Sequence, residues 1–312
     1  MSLGASVTNI PQYKLSVVYP QAFPLSLEKN LIQDLERLSQ YSSLNSIELT
    51  TISEVGIRRD AAALLHNSFE EVIFLAGLPS FKHLAFLNAS GADRVRAVDY
   101  TKGLIEEANE LGASAFLVVS GPDVEPLNRQ ESMQNLKRSL IELLAFANSS
   151  YPDIEIRLEH TDREVHRRQL IGPTADSLML ISEINDFGYN LQLNLDMSHI
   201  LQLDEEIYST LELAKAHCSH FHFSNCVLAD ITHPLYGDFH VPFDYPNSEV
   251  SSHVLIKTFQ DLSSLGYLDE ARKTTLGIEV VPLNGDDPWT TFSKTIDVLN
   301  NAHTEAFSAP SN

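Results

Sequence analysis

Eight short β-rich runs alternate with amphipathic helical stretches along the 312-residue chain. The runs lie at 13–19, 44–52, 71–77, 114–120, 153–160, 190–197, 219–225 and 274–282. Helical periodicity marks the segments 25–41, 93–112, 130–149, 174–188 and 248–266 between them. Strand and helix in strict alternation favour a parallel sheet covered by helices. Eight such units in one chain of this size predict an α/β fold, a single (β/α)8 TIM barrel.

The predicted barrel forms one domain over residues 12–302, because no linker-like segment divides the chain. The polar ends, 1–11 and 303–312, are expected to be flexible tails. Two alternative folds are compatible with the same strands. The first is a doubly wound open sheet, but the glycine-rich phosphate-binding turn of its dinucleotide-binding form does not follow the first strand. The second is a half-exposed antiparallel sheet, and the helical segments between the strands argue against it.

The charge balance limits the classes of molecule that the protein is expected to bind. The chain has 21 basic and 42 acidic residues, a net charge of −21, which repels nucleic acid and anionic membranes. It also lacks the roughly 18 consecutive apolar residues of a membrane helix and a signal peptide. With two cysteines there is no disulfide framework. We therefore expect a cytoplasmic protein with a small-molecule substrate. The sequence is compatible with either a monomer or a homo-oligomer.

Polar and apolar side chains alternate along several of the strands. Because successive side chains point to opposite faces and helices cover the outside of a barrel, the polar set is expected to face the barrel axis. That set comprises Glu48, Glu155, Arg157, Glu159, Asp196, His220, His222 and Glu279. Buried carboxylates are costly when unpaired. They must be protonated, paired or neutralised by a cation.

The last inward-facing residues of strands five to eight form a candidate metal site. They are Glu159, Asp196, His222 and Glu279, and active sites of such barrels lie at the C-terminal ends of the strands. Three carboxylates and one imidazole suit Mn²⁺, Mg²⁺ or Co²⁺, and Zn²⁺ is also compatible. The sequence therefore predicts a divalent cation held by four strands.

The stretch AHCSHFHFSNC, residues 216–226, resembles a local zinc cluster. Cys218 and Cys226 are eight positions apart, which is about 26 Å along an extended strand. One metal cannot bind both. His220 is expected to lie deeper in the barrel as a hydrogen-bonded core residue, so only His222 reaches the predicted site.

Several motifs carry a resemblance to a known family. They are IRLEHTDREVHRRQLIGPT (156–174), LNLDMSH (193–199), HFHFSN (220–225), GDFH (237–240) and LGIEVVP (276–282). They resemble the xylose-isomerase-like TIM barrels, which include sugar isomerases, ketose 3-epimerases, inosose dehydratases and the endonuclease IV group. The resemblance implies that Glu159, Asp196, His222 and Glu279 are the metal ligands.

The resemblance also implies roles for residues around this set. His199 would contact substrate oxygens, and Asp238 and His240 would help to close the pocket. Alternatively, His199, Asp238 and His240 would hold a second metal. Arg157 is assigned either to the substrate or to neutralising the inner carboxylates.

Two positions depart from particular branches of the family. Ser120 stands where endonuclease members carry a metal-binding histidine after the fourth strand. The segment after His222 lacks the arginine that is common in ketose 3-epimerases. The first departure, with the charge of −21, argues against DNA repair, and the second indicates different sugar contacts.

The resemblance implies a metal-dependent isomerase or epimerase acting on a sugar or polyol. Glu159 and Glu279 would move a proton next to a carbonyl, through a metal-stabilised enediolate. One alternative in the same pocket is a dehydratase or lyase of a keto-sugar or inosose. An endonuclease IV-like phosphodiesterase and a non-catalytic sugar-binding barrel are further alternatives.

Overall fold

Eight strands form one parallel sheet within residues 13–24 and 28–308, the part of the chain that the computed structural model describes. The strands are β1 (Lys14–Val17), β2 (Ser46–Leu49), β3 (Glu71–Leu75), β4 (Ala115–Val118), β5 (Glu155–Glu159), β6 (Gln192–Asp196), β7 (Cys218–Phe223) and β8 (Thr275–Ile278). Seven of the eight predicted runs contain one of them in full, and β7 begins one residue before its run.

Helices follow the strands and cover the outside of the sheet. They are α1 (Tyr19–Ala22), α2 (Leu31–Leu38), α3 (Val55–Ser68), α4 (Gly77–Lys82), α5 (Gly91–Glu110), α6 (Arg129–Ser150), α7 (Thr174–Asn185), α8 (Met197–Gln202), α9 (Ile207–Ala214), α10 (Ser252–Ser264) and α11 (Pro288–Phe307), with a 3₁₀ turn at Pro126–Asn128. None of the helices in the described residues is long and apolar enough to span a membrane.

The ends of the chain differ in part from the predicted boundaries. Helix α11 continues to Phe307, so the predicted domain end at 302 falls inside a helix. The N-terminal tail predicted at 1–11 and the last residues, 309–312, lie outside the described residues.

The sheet curls into a nearly closed barrel. Neighbouring strands pair in parallel in the order β1-β8-β7-β6-β5-β4-β3-β2. The remaining gap, between β1 and β2, is bridged by a parallel pairing of Val18 with Glu48 and by the amide of Asn45, which donates to the carbonyl of Leu15 at 3.2 Å. The predicted (β/α)8 barrel is therefore confirmed, and the open-sheet and antiparallel alternatives are wrong.

Two apolar clusters stabilise the barrel. The larger cluster lies between the sheet and the helices and includes Leu158, Leu195 and Phe221. These residues lie on the apolar face of their strands, which is predicted to point outward. A smaller one lies inside the barrel on the β1, β3 and β4 side, and consists of Val18, Ile73, Leu75, Ala115 and Leu117. The interior is thus divided into an apolar sector and an ionisable sector.

Arg157 neutralises carboxylates at the N-terminal end of the barrel. Its guanidinium nitrogens lie 3.1 Å from Glu71 and 2.7 Å from Glu155. Lys14 adds a second cation 3.3 Å from Glu71. Arg157 lies in the middle of β5 with a buried side chain and does not line the cavity over the candidate metal site, so its position favours the predicted neutralising role over the substrate-binding role.

Candidate metal centre

The four predicted metal ligands converge at the C-terminal ends of β5 to β8. Glu159 and Asp196 end β5 and β6, His222 lies one residue before the end of β7, and Glu279 directly follows β8. The parallel register places Asp196 beside His222 and His222 beside Gly277. One ligand atom from each of the four residues lies within 4.8 Å of the others.

Carboxylate oxygens crowd around Nδ1 of His222. The distances are 2.8 Å to Glu279 Oε2, 3.5 Å to Glu159 Oε1 and 3.7 Å to Asp196 Oδ2. Within the described part of the chain, Asp196 Oδ2 and Glu279 Oε2 accept no hydrogen bond, although both are buried. The 2.8 Å contact therefore lacks hydrogen-bond geometry. Buried acceptors without donors are unfavourable, so this arrangement favours a proton or a metal cation among these oxygens.

Hydrogen bonds to Asp196 leave one of its oxygens available. Its Oδ1 accepts from the hydroxyls of Ser198 and Ser224, each at 2.6 Å, and from the amide of His199 at 3.1 Å. Its Oδ2 faces the other three residues. Three carboxylates and one imidazole form a mostly hard donor set, which suits Mn²⁺, Mg²⁺, Co²⁺ or Zn²⁺. The residues present therefore fit the divalent ion that the sequence predicts.

Glu48 orients His222 from behind. Nε2 of His222 and Nε2 of His220 each donate to Glu48 at 3.1 Å. Burial raises the pKa of Glu48, but the two imidazoles outweigh it and hold this pKa well below its ordinary value. Because Nε2 of His222 carries the proton toward Glu48, Nδ1 is the nitrogen left for a metal. His220 is thus a buried core residue hydrogen-bonded to Glu48.

The electrostatics of His222 also favour positive charge at this point. Burial lowers its pKa, but Glu48 and Glu279 outweigh this effect and raise the pKa well above its ordinary value. Nδ1 therefore attracts either a proton or a metal ion.

Asp238 lies beside the four-residue set and is saturated by donors. Its Oδ1 accepts from Gln202 at 3.2 Å and lies 2.7 Å from the hydroxyl of Ser198, whose single hydrogen it shares with Asp196. Its Oδ2 lies 2.6 Å from Arg167 Nε and 3.2 Å from His240 Nε2. Burial raises its pKa, but the nearby cations hold that pKa well below the ordinary range.

The second metal set is not assembled as predicted. Asp238 and His240 lie within 4.8 Å of Asp196 through one ligand atom each, and His199 does not belong to that group. Nδ1 of His199 is 3.7 Å from Asp238. The guanidinium of Arg167 already places a positive charge on Asp238, at the position where a second cation would bind.

Arg167 is a site residue that the sequence did not identify. Its loop is held by Asp162, whose carboxylate accepts four backbone N–H groups, those of residues 165, 166, 167 and 168, at 2.6–3.3 Å. An aspartate that caps the following backbone amides is a common loop signal. It predicts an ordered turn but not the direction of the arginine.

Two features of the 237–240 loop bring it against this turn. Gly237 has φ +97°, and a Cβ there would lie 2.9 Å from His166 Cβ. The amide of Asp238 then donates to Nδ1 of His166 at 2.7 Å. His240 adopts φ +48°, a conformation that is strained for a non-glycine residue and that is often found at functional sites.

A cavity opens over the four-residue set. Its polar lining includes Glu159, His222, Glu279, His199, His240 and Arg167. His199 and His240 thus reach the cavity, as the sequence predicts. Asp238 lies behind Arg167 and His240 and does not line it.

Solved structures with the same fold include sugar epimerases. The chain is similar to the IolI protein with a bound zinc atom (16% identity, TM-score 0.71, covering 95% of this chain and 100% of that one). It is also similar to an L-ribulose 3-epimerase (16%, 0.70, 96% and 99%) and to the 3-keto-D-glucoside 4-epimerase YcjR from E. coli (15%, 0.68, 93% and 99%). At these identities the likeness establishes the fold.

A comparison with curated proteins found no match. The family model described as xylose isomerase-like TIM barrel matches residues 44–246. This range contains six of the eight strands, from β2 to β7, and three of the four candidate ligands. The chain therefore belongs to the xylose isomerase-like TIM barrel family.

Proposed function

We propose that the protein is a metal-dependent isomerase or epimerase of a sugar-like hydroxy-carbonyl compound. One observation carries the proposal: Glu159, Asp196, His222 and Glu279 converge from four consecutive strands, with two buried carboxylate oxygens that lack donors within the described residues. The sugar epimerases among the structures of the same fold support this choice of reaction. One divalent ion, Mn²⁺, Mg²⁺, Co²⁺ or Zn²⁺, is proposed to be held there.

A divalent ion in this position supplies Lewis-acid polarisation of a carbonyl and its neighbouring hydroxyl. Glu159 and Glu279 are the proposed bases. Burial raises the pKa of Glu279, but His240 and His222 outweigh it and hold this pKa below its ordinary value, so the carboxylate is ionised and can accept a proton. Amide groups position both bases, since Asn194 donates to Glu159 at 3.2 Å and Gln21 to Glu279 at 3.3 Å.

The two carboxylates reach the cavity from different strands, which allows one to remove a proton and the other to return one. A base removes the proton from the carbon that carries the hydroxyl, which leaves an enediolate. Return to the other face of that carbon gives an epimer. Return to the former carbonyl carbon, with transfer of the hydroxyl proton to the former carbonyl oxygen, gives an isomer. His199 lines the same cavity, and its Nδ1 makes no hydrogen bond within the described residues. It is proposed to bind a substrate oxygen.

The proposal is tested first by metal analysis. Protein purified without chelator is expected to contain one divalent ion per chain, and Asp196→Asn is expected to lose it. Glu155→Gln is the matched control, because Glu155 lies on the same face of β5 at the opposite end of the barrel. Absence of metal from the wild type would refute the metal-dependent mechanism.

The second test follows proton transfer. With a panel of ketoses in D₂O, the wild type is expected to incorporate deuterium next to the carbonyl, and Glu159→Gln and Glu279→Gln are expected to lose this exchange. Product analysis separates the alternatives, since a dehydratase would release water and give an unsaturated or deoxy product. Full exchange in both variants would contradict the two-glutamate mechanism.

A further inference from the structure

The cavity over the candidate metal centre has one apolar wall. Six of its lining residues, which lie on the β1, β3 and β4 side, are Val18, Leu75, Leu78, Phe81, Leu117 and Val119. Three of them, Val18, Leu75 and Leu117, belong to the inner apolar cluster of the barrel. Three of the candidate ligands, Glu159, His222 and Glu279, line the same cavity, and so do His199, His240 and Arg167. A bound molecule is thus exposed to two different environments.

Helix α4 extends this wall toward solvent. It begins at Gly77, separated from β3 by Ala76, and its Leu78 and Phe81 are 45% and 37% exposed. Residues three positions apart share a helix face, so both side chains contribute to the cavity lining. The ring of Phe81 packs edge-to-face on Phe86, with centroids 5.6 Å apart. An apolar lip is therefore held beside the cavity while remaining accessible.

The wall is poorly suited to a fully hydroxylated sugar. Hydroxyls that turn toward aliphatic and phenyl groups lose their bonds to water and gain no partner there, which is unfavourable. An alkyl or aryl group in the same place removes apolar surface from water on both sides of the contact. The two sides of the cavity together favour a molecule with one polar and one apolar end.

We propose that the substrate is a hydroxy ketone with an alkyl or aryl substituent. Its hydroxy-carbonyl end would face Glu159, His222 and Glu279, and its apolar substituent would contact Leu78 and Phe81 and the strand residues behind them. This inference rests on the proposed function for the polar end. It adds the chemical class of the other end.

The test compares two probes that differ only in this substituent. 2-Hydroxyacetophenone carries a phenyl group where dihydroxyacetone carries a hydroxymethyl group. Binding of each to metal-loaded, full-length protein is measured by calorimetry, and deuterium exchange next to the carbonyl is measured separately by NMR. We expect the phenyl probe to bind about tenfold or more tightly, the effect of burying one aromatic group.

A pair of variants locates the effect. Phe81→Ala is expected to reduce the ratio of the two affinities at least threefold. Phe187→Ala is the matched control, because Phe187 is 66% exposed and does not line the cavity, and it is expected to preserve the ratio. Equal affinities for the two probes, or a ratio that Phe81→Ala leaves unchanged, would overturn the inference.

The two readouts keep this inference separate from the proposed function. Exchange without preference for the phenyl probe would refute the apolar subsite and leave the reaction standing. Preference without exchange of either probe would support the apolar subsite and refute the proposed reaction.

Discussion

Glu48 and His222 contact each other across the barrel, from β2 and β7, with Oε2 of Glu48 3.1 Å from Nε2 of His222. Both side chains are buried. The contact fixes the ring so that Nδ1 points toward Glu159, Asp196 and Glu279. A carboxylate behind a metal-binding histidine sets its tautomer and its basicity, so Glu48 is a positioning residue for the proposed metal.

Glu48→Gln is therefore expected to weaken metal binding about 10- to 100-fold, the usual effect of losing such a partner. The measurement is a competition titration with Co²⁺ or Zn²⁺ and a coloured chelator. Glu183→Gln, on the surface of α7, is the control and should leave the affinity unchanged. If Glu48→Gln binds metal as tightly as the wild type, His222 does not depend on this contact.

Gly277→Ala tests the space in which this pair lies. A Cβ at Gly277 would clash with Oε1 of Glu48 and lie 2.6 Å from Cδ2 of His222. Overpacking of this kind typically costs about 1–3 kcal/mol, and it should also displace the imidazole and weaken metal binding. Urea denaturation and the same metal titration measure the two effects.

Gly103→Ala is the matched control for that substitution. Gly103 lies inside α5, and a Cβ there would meet no atom within 4 Å. Alanine should stabilise this helix by about 0.5–1 kcal/mol and should leave the metal affinity unchanged. Equal behaviour of the two alanine variants would show that Gly277 is not needed for close packing.

Arg167→Ala tests why one metal is proposed and not two. The guanidinium lies 2.6 Å from Asp238, and its removal leaves Asp196, Asp238 and His240 as a group with ligand atoms within 4.8 Å of each other. The variant is expected to bind two divalent ions per chain at saturating metal, whereas Arg167→Lys, which keeps the charge, should bind one. A single ion in both variants would show that Arg167 does not exclude the second cation.

The sequence predicted the barrel and the position of the four-residue set because both depend on backbone geometry. Strand parity fixes which side chains face the axis, and parallel strands bring their C-terminal ends to one edge. Glu159, Asp196, His222 and Glu279 each follow from those two rules.

The arginines could not be placed in the same way. Arg157 and Arg167 have long side chains, and their direction depends on which carboxylates lie nearby. Arg157 turns to Glu71, a residue 86 positions away on β3, and Arg167 turns to Asp238, 71 positions away. Such partners come from tertiary structure that no local pattern encodes.

The apolar sector was missed for a different reason. The runs EVIFLAG (71–77) and SAFLVVS (114–120) are apolar on both parities, which is typical of strands buried on both faces. Because both parities of these runs are mostly apolar, alternation does not indicate which of their side chains face the barrel axis. The sector that contains Leu75 and Leu117 now bears on substrate choice.

Glu71→Gln tests the neutralisation of carboxylates at the other end of the barrel. The variant leaves the buried Arg157 with Glu155 alone, and breaking a buried pair costs about 3 kcal/mol or more.

Burial raises the pKa of Glu71, but Arg157 and Lys14 outweigh it, so this pKa is lowered in the folded protein. The ion pair therefore stabilises the protein fully above the unfolded-state pKa of about 4.3 and is lost as the pH falls through the lower folded-state value. Urea denaturation of metal-free wild type and variant should give the full stability difference at pH 7. The difference should narrow below about pH 4, where Glu71 of the unfolded chain becomes protonated, and vanish once the pH has passed the lower folded-state pKa. A difference that stayed constant or widened toward low pH would mean that the charge of Glu71 does not stabilise the barrel.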